Sequence, residues 1–317
     1  MSCYHIIERR KAHRGFTLIE LLVVIVIIGI LASLILVGGR SAMRTANQAA
    51  VKQQISQVEG ALERYKQKYG EYPPDFSDEA AVMRHVRKRW PKWQNGPKNI
   101  VEFCTMINNA TTVPNKYDFT PPPTVINDCE DKCNAAHVGA LAFWLGGIPD
   151  NNGMLNGFSA DVSNPLGVGG ITQWDKDSQF MELIIGSNCE IVDGLPIITA
   201  KGFPIAYFKP NAAGKYTEKN FPEALCAHMS FSRQGWEDLG IAVAYAKKGA
   251  PNIEDVVWHN PKSYQLIHPG LDGDFGGGSH DDIRVVDPAE DNFSNFTVRD
   301  RDNQANFGGT TIESAGN

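Results

Sequence analysis

The sequence predicts an α+β protein in which one long N-terminal helix packs on a small antiparallel sheet, with a large irregular insertion between the two. Three observations predict this class: an apolar run over residues 16–37, an apolar repeat with helical spacing over 51–69, and strand-like segments beyond residue 191. The composition, 42% hydrophobic and 21% charged, is that of a globular protein and excludes a disordered chain or a multi-span membrane protein.

The apolar run has the length of a single membrane span. Residues 16–37 are 22 residues in which only Thr17, Glu20 and Ser33 are polar. At about 1.5 Å per residue, a helix of this length covers roughly 33 Å and crosses a hydrocarbon core of about 30 Å. The basic residues at 9–14 favour a cytoplasmic N-terminus, so the rest of the chain is expected outside the cytoplasm.

Glu20 is an ionisable residue inside that apolar run. A carboxylate in a membrane segment is costly, so it is rarely placed there without a cationic partner. Cleavage after Gly15 would give Phe16 a free amine, which a neighbouring subunit could present to Glu20. The alternative is a carboxylate that reaches the membrane interface, which its position near the end of the run allows.

Residues 14–25, RGFTLIELLVVI, resemble the prepilin-type cleavage and methylation motif of type IV pilins and type II secretion pseudopilins. The resemblance implies a pilin-like fold, a prepilin leader over 1–15, cleavage after Gly15, methylation of the Phe16 amine, and Glu20 as the carboxylate that registers neighbouring subunits. It also implies the partners, namely other pilin or pseudopilin subunits, a prepilin peptidase and an inner-membrane assembly platform. The implied location is the inner membrane, crossed once, with a periplasmic head.

An amphipathic helix is predicted to continue from the membrane segment over residues 38–70. Apolar residues recur every three or four positions on one stripe, at Val51, Ile55, Val58, Leu62, Tyr65 and Tyr69. Gly70 and the prolines after it are expected to end the helix. Residues 61–74, ALERYKQKYGEYPP, resemble the helix exit of major pseudopilins. Where such proteins often carry a proline after the apolar run, this chain has Gly38 and Gly39, which weaken a helix locally.

Residues 71–190 are predicted to form an insertion with short helices and little regular sheet, because Pro-, Asn- and Gly-rich stretches alternate with short helical signals. The basic segment 84–93 is predicted to be a solvated helix end whose two Trp side chains pack into the head. Binding of nucleic acid or anionic lipid, and contact with an acidic neighbouring subunit, are the alternatives. A further helix is predicted from an Asp128 cap to Leu145.

Five cysteines follow the membrane segment, where an oxidising compartment favours disulfides. The candidates for pairing are Cys104, Cys129, Cys133, Cys189 and Cys226. At most two pairs can form, and the sequence leaves their connectivity open. Because Cys129, Cys133 and His137 share one face of the predicted helix, a zinc site is an alternative, although no fourth ligand is apparent.

Residues 191–317 are predicted to be β-rich. The segments 195–199 and 204–208 flank a Gly-containing turn, which predicts a hairpin. Residues 202–210, GFPIAYFKP, are similar to a strand of major pseudopilins.

An acidic, Gly-rich loop at residues 269–283 follows a strand-like segment. It combines four Asp carboxylates with freely turning glycines, as a hard cation such as calcium requires, but it lacks the final Glu of an EF-hand. It resembles the calcium loop of major pseudopilins. In this chain, Asp272, Asp281 and Asp282 stand at the positions of that motif. Calcium is therefore the predicted cofactor, and the alternative is a solvated acidic turn. The candidate metal residues are Asp272, Asp274, Asp281, Asp282 and Leu266.

These features together predict a structural subunit of a type II secretion pseudopilus or type IV pilus-like filament, not an enzyme. The chain has no Gly-x-Ser-x-Gly elbow, no His-Glu-x-x-His motif and no phosphate loop, so no catalytic residues are predicted. Nucleic acid is not the expected partner, because the chain beyond the basic leader is acidic and phosphate binding requires a basic surface. The alternative is a membrane-anchored, extracytoplasmic calcium-dependent binding or adhesive protein that does not polymerise.

Overall fold

The computed structural model divides the chain into two units, Met1–Ala46 and Asn47–Asn317. The described residues are 17–110, 135–150, 152–192, 195–216, 228–230, 239–250, 255–276, 283–287, 292–294 and 302–307.

The longest element is the helix α1, Leu18–Tyr69. It is continuous through Gly38 and Gly39, so the glycine pair does not end it. Gly70 ends it with a φ of 79°, and its N–H donates to the carbonyl of Lys66 at 2.7 Å, which satisfies one of the free carbonyls of the last turn. The prediction of one long helix ending at this glycine is confirmed.

The second half of α1 buries the predicted apolar stripe. The buried members are Val51, Ile55, Val58, Leu62 and Tyr65. Tyr69, one turn later, is half-buried and packs against the same core. These side chains belong to the unit Asn47–Asn317, where they form one wall of the hydrophobic core.

Three shorter helices supply the facing side of that core: α2, Glu79–Arg89; α3, Ile100–Ala110; and α4, Ala135–Gly146. Asp78 caps α2, since its Oδ1 accepts from the N–H groups of Ala80 and Ala81 at 2.9 and 3.3 Å. The predicted inward positions of α4 are confirmed as buried: Val138, Leu141, Ala142 and Leu145. The Asp128 cap lies outside the described residues.

Gly147 follows α4 directly and has no room for a side chain. Its φ is 89°, and an added Cβ would lie 2.1 Å from the carbonyl oxygen of Gly157. The close approach of these two backbones joins α4 to the segment that follows it.

Aromatic side chains from residues 71–190 pack onto Tyr65 of α1. The indole of Trp144 is fully buried, and its Nε1 donates to the carbonyl of Pro74 at 2.9 Å. Its ring centroid lies 6.5 Å from that of Tyr65 and 4.8 Å from that of Phe143. This region therefore shares its core with α1 and forms no separate hydrophobic core around these rings.

A directed chain of hydrogen bonds crosses the same core. The Arg89 Nη1 group donates to the Tyr65 hydroxyl at 2.7 Å, and that hydroxyl lies 2.6 Å from His85 Nε2. His85 Nδ1 lies 2.9 Å from Glu71 Oε1. Because the Glu71 carboxylate only accepts, the proton of the neutral imidazole lies on Nδ1 and is donated to Glu71. Nε2 then accepts from the Tyr65 hydroxyl, which itself accepts from Arg89. Burial lowers the pKa of His85 to about 4, so this imidazole is neutral.

The strands are short, from two to six residues among those described. They are β1, Phe158–Ser159; β2, Trp174–Asp175; β3, Cys189–Val192; β4, Leu195–Ala200; β5, Phe203–Pro204; β6, Ala206–Phe208; β7, His228–Ser230; β8, Ile241–Val243; β9, Ala246–Lys248; β10, Val257–Trp258; β11, Gln265–His268; β12, Val285–Asp287; β13, Asn292–Ser294; and β14, Gln304–Ala305. A 3-10 turn, Lys176–Ser178, follows β2.

The described strands form five small sheets instead of the single antiparallel sheet predicted from sequence. The sheet orders are β1-β2, β10-β9-β12-β13, β14-β11-β6, β3-β4-β5 and β7-β8. All pairs are antiparallel except β9 with β12, where Val285 lies opposite Ala246. Strands this short form few backbone hydrogen bonds with one neighbour, so successive strands along the chain pair in different sheets. The prediction of one sheet was wrong, whereas the α+β class and small antiparallel sheets are confirmed.

The predicted hairpin is present between β4 and β5. Thr199 pairs with Pro204 and Ala200 with Phe203. Lys201 and Gly202 both have positive φ, 52° and 83°, which matches the tight two-residue turn that suits the strand twist. The hairpin is shorter than predicted because β6 pairs instead with β11.

Candidate functional site

The predicted processing residues Gly15 and Phe16 lie outside the described residues. The described part of the candidate assembly site therefore begins at Thr17, the residue before α1.

Thr17 and Glu20 hydrogen-bond to each other at the start of α1. Glu20 Oε2 accepts from the backbone N–H and from the hydroxyl of Thr17, both at 2.8 Å. The backbone N–H of Glu20 lies 3.3 Å from the Thr17 hydroxyl oxygen. This is the reciprocal capping box of a Thr-x-x-Glu sequence, in which two free N–H groups of a helix end are satisfied at once. The Thr-x-x-Glu spacing in the sequence is the local signal that indicates this cap.

The first turns of α1 expose apolar side chains on every side. The exposed large hydrophobic residues are Leu18, Ile19, Leu21, Leu22, Val23, Val24, Ile25, Val26, Ile27, Ile28, Ile30 and Leu31, each between 46% and 82% exposed. Consecutive helical residues point in all directions around the axis, so this surface has no polar face. An apolar surface of this size marks an interaction site with protein or lipid.

Within the part of the chain that is described, none of the helices combines the length and the apolar content that crossing a membrane requires.

Of the predicted span 16–37, residue 16 and the side chains of residues 34–37 lie outside that part.

The acidic loop brings Asp272 and Asp274 next to Asp302, a residue that sequence analysis missed. Asp272 Oδ1 accepts from the N–H of Asp274 at 3.0 Å. Asp302 Oδ2 accepts from the N–H groups of Leu271 and Asp272 at 2.9 and 3.3 Å. Burial and the neighbouring Asp302 and Asp274 carboxylates raise the pKa of Asp272. Asp302 is 30 positions from Asp272, so no local spacing could have indicated it.

The other candidate metal residues are only partly visible. Asp281 and Asp282 lie outside the described residues. Leu266 is fully buried in β11, and its carbonyl accepts from the N–H of Asn306 at 3.2 Å. Among the described residues, no three His, Cys, Asp or Glu side chains are grouped so as to hold a metal ion.

Two of the disulfide candidates are buried free thiols, Cys104 in α3 and Cys189 in β3. Burial raises the pKa of each thiol to about 12, so both are unreactive in the folded state. Cys129, Cys133 and Cys226 lie outside the described residues, as does most of the alternative zinc site.

The basic segment at the end of α2 is less solvated than predicted. Trp90 and Trp93 are partly buried against the core, which confirms that they pack into the head. Arg89, expected on a solvated face, is instead 8% exposed. Its guanidinium carbon lies 4.3 Å from the centroid of Phe158 and 4.5 Å from that of Tyr69. Aromatic faces attract a cation, which accounts for its burial there.

Comparison with known proteins finds a family motif near the N-terminus and several similar proteins. Residues 10–36 match the family model described as the prokaryotic N-terminal methylation motif. Three relatives are each named type II secretion system core protein G. The protein of Klebsiella michiganensis is 45% identical over 65 residues, 20% of this chain and 46% of the relative. That of Pectobacterium carotovorum is 38% identical over 86 residues, 27% and 52% respectively. That of Pseudomonas aeruginosa is 36% identical over 91 residues, 29% and 61%.

This chain therefore carries an N-terminal methylation motif and is a pseudopilin-like protein. It spans about half the length of the curated relatives that it matches, between 46% and 61% in these three. No solved structure matches it.

Proposed function

We propose that this protein is a structural subunit of a type II secretion pseudopilus or a type IV pilus-like filament. The observation that carries the proposal is the exposed apolar first half of α1, which coincides with the methylation motif at residues 10–36. A helix that is apolar on all sides needs an apolar environment around its whole circumference. A lipid bilayer before assembly and the helices of other subunits after assembly both provide one.

Processing and location follow from the same segment. The prepilin peptidase cuts between Gly15 and Phe16, and the new Phe16 amine is methylated. Before assembly the chain crosses the inner membrane once, with the leader in the cytoplasm and the head in the periplasm. Its partners are other pilin or pseudopilin subunits, the peptidase and the inner-membrane assembly platform.

Glu20 registers the subunits by pairing with the Phe16 amine of a neighbour. Opposite charges attract strongly where water is excluded, so the pair would set the axial position of one helix against the next. The capping contact with Thr17 does not prevent this, because it occupies Oε2 and leaves Oε1 for a second donor.

The acidic loop holds calcium in this proposal. Asp272, Asp274 and Asp302 provide oxygen donors of the kind that a hard cation prefers. Because these described carboxylates are not grouped as a three-ligand site, the proposal requires Asp281 and Asp282 to complete it. A bound divalent cation would offset the mutual repulsion of these carboxylates and would fix the loop against β11.

One observation favours the alternative of an anchored binding protein that does not polymerise. Glu20 is already hydrogen-bonded within its own chain, so its presence in an apolar segment does not by itself require a second subunit. In that case the carboxylate serves only to cap α1. The two proposals differ in what they predict for Glu20→Gln, because only registration between subunits requires the charge.

The processing step is tested by the mass and terminal sequence of the full chain extracted from membranes, with and without a prepilin peptidase. With the peptidase, we expect a chain that begins Phe-Thr-Leu-Ile-Glu and carries one added methyl group. Gly15→Val should remain uncut, and Ala12→Val, a change elsewhere in the leader, should be cut normally. A chain that keeps Met1 in the presence of the peptidase, or one cut beyond Val37, would contradict the proposal.

A further inference from the structure

A cavity of about 520 Å³ lies beside the end of α1 and the end of α2, and residues 158–178 form its other side. Its lining combines aromatic rings with cationic side chains: Lys68, Tyr69, Arg89, Trp90, Phe158 and Trp174. The volume lies within the roughly 300–1,000 Å³ range of small-ligand sites in proteins.

Arg89 is the unusual member of this lining. It is 8% exposed, and within the described part of the chain its one hydrogen bond is from Nη1 to the Tyr65 hydroxyl. Its Nε and Nη2 atoms are buried and have no hydrogen-bond partner among the same residues. A buried guanidinium that lacks partners for its remaining N–H groups is costly, because these groups lose their hydration. The aromatic rings around it offset this cost only in part.

No carboxylate neutralises the cations of the cavity among the described residues. In that part of the chain, the ion pair between charged side chains joins Glu71 Oε1 to Lys88 Nζ at 3.5 Å, and neither residue lines the cavity. Lys68 is exposed, and its Nζ donates to the backbone carbonyl of Asp177 at 2.9 Å. A second cation, Lys68, therefore lines the same cavity as the buried guanidinium, and no carboxylate is paired with either.

One of the two aspartates that line the cavity, Asp175, has a structural role. The carboxylate of Asp175 accepts from the N–H of Asp177 at 3.1 Å and so caps the 3-10 turn. Lys176 donates to the side-chain oxygen of Asn156 at 2.9 Å. With Lys68, Arg89 and Lys176 against two aspartates, the cavity carries a net positive charge.

We propose that this cavity binds a carboxylate carried on an apolar or aromatic body. The exposed ammonium of Lys68 and the guanidinium of Arg89, which lies beneath the cavity wall, attract the carboxylate, and the half-buried rings of Trp90 and Trp174 receive the apolar body. Val162, which is 54% exposed, extends the apolar surface to the rim. A phosphate dianion fits less well, because the aromatic walls cannot replace its hydration.

Two sources present this chemistry: a free aromatic acid, or the C-terminal carboxylate of a peptide that ends in an aromatic residue. The full chain in detergent micelles is titrated with 3-phenylpropionate and, separately, with a flexible Gly/Ser hexapeptide that ends in Phe. Trp90 and Trp174 line the cavity, so their fluorescence reports occupancy, and calorimetry provides a second readout. Binding of the acid alone assigns the site to free acids, whereas binding of both assigns it to a chain end.

The controls remove only the charge. We expect 3-phenylpropionamide and the C-terminally amidated peptide to bind at least about 10-fold more weakly than the carboxylates. Lys68→Gln should weaken carboxylate binding about 3-fold, and Lys52→Gln, an exposed lysine on α1 that does not line the cavity, should leave it unchanged. Added salt should weaken binding as well.

Arg89→Lys tests the guanidinium and is used only if circular dichroism shows that the variant is folded. If it is not, the amide and Lys68→Gln comparisons decide the question. Equal binding of acid and amide, no saturable binding of either carboxylate, or identical affinities of Lys68→Gln and the unchanged chain would overturn the proposal.

Discussion

Glu20 Oε2 lies 2.8 Å from both the backbone nitrogen and the hydroxyl oxygen of Thr17, one helical turn before it. This contact gives Glu20 a function within its own chain, which is to cap the first turn of α1. A carboxylate that both caps its own helix and pairs with a neighbouring amine would join helix formation to subunit registration. Substitutions at these two positions can separate the roles, because a neutral amide keeps the cap and loses the charge.

Removal of the Tyr65 hydroxyl should destabilise the head. Tyr65→Phe keeps the ring in the core but leaves Arg89 Nη1 and His85 Nε2 without their shared partner. Each unsatisfied buried group costs about 1–3 kcal/mol, so we expect the free energy of unfolding to fall by roughly 2–6 kcal/mol in chemical denaturation. Tyr69→Phe, at the half-buried ring one turn later, is the matched control and should change it by less than about 0.5 kcal/mol. Equal effects of the two variants would show that the hydrogen-bond chain contributes nothing.

Acid should destabilise the head below a pH of about 6.5. Burial lowers the pKa of both His85 and His268 to about 4 in the folded state. In the unfolded chain these histidines are protonated near pH 6.5. Their contribution to the free energy of unfolding is therefore fully present above that pH and is lost as the pH falls towards 4. The loss is on the order of 3 kcal/mol for each histidine.

Glu71 adds a second loss at lower pH. Its hydrogen bond from His85 lowers its pKa to about 2, so this part of the stability is present above about pH 4.5 and disappears between 4.5 and 2.

Thermal melts between pH 7.5 and 4 test the contribution of the two histidines. His268→Gln keeps a donor and an acceptor but cannot be protonated, so its melting temperature should fall less steeply with pH. A melting temperature that stays constant from pH 7 to 5 would rule out this account.

Calcium should raise the melting temperature of the full chain in detergent, because a ligand that binds only the folded state stabilises it. Magnesium should substitute poorly, since it demands a tighter octahedral shell. Asp272→Ala should remove the calcium-dependent shift, and Asp302→Ala should do so too if the residue that the structure brings to the loop is a ligand. Exposed Glu182→Ala, outside the loop, should retain it. Identical melting temperatures with calcium and with chelator would leave the loop as an acidic turn.

The helical part of the fold could be predicted because its signals are local. The stripe from Val51 to Tyr65 repeats at the period of a helix, and Gly70 supplies the positive φ that ends it. The strands gave weaker signals because segments of two or three residues have no measurable alternation. Their pairing, such as β6 with β11, joins residues far apart in sequence, and no local pattern encodes that choice.

The candidate sites also differ in whether residues close in sequence could indicate them. The motif around Glu20 is contiguous and could be recognised, whereas Asp302 reaches the acidic loop only through the fold. Arg89 was expected to be solvated because it follows Arg87 and Lys88 at the charged end of α2. Its burial depends on rings contributed by α1, α4 and β1, which only the tertiary structure brings together.

The central claim is that copies of α1 assemble through Glu20, and crosslinking of neighbouring subunits in cells tests it most directly. Single cysteines placed on the exposed apolar part of α1, in a chain whose own cysteines are replaced, would report contact between copies. Glu20→Gln keeps the capping contact with Thr17 and removes only the charge, and Thr17→Val removes the cap hydroxyl and keeps the charge. We predict that Glu20→Gln reaches the membrane at a normal level but loses the crosslink, while Thr17→Val retains it. An undiminished crosslink in Glu20→Gln would contradict registration by the Glu20 charge, and the absence of any crosslink in the otherwise unchanged chain would favour the anchored binding protein.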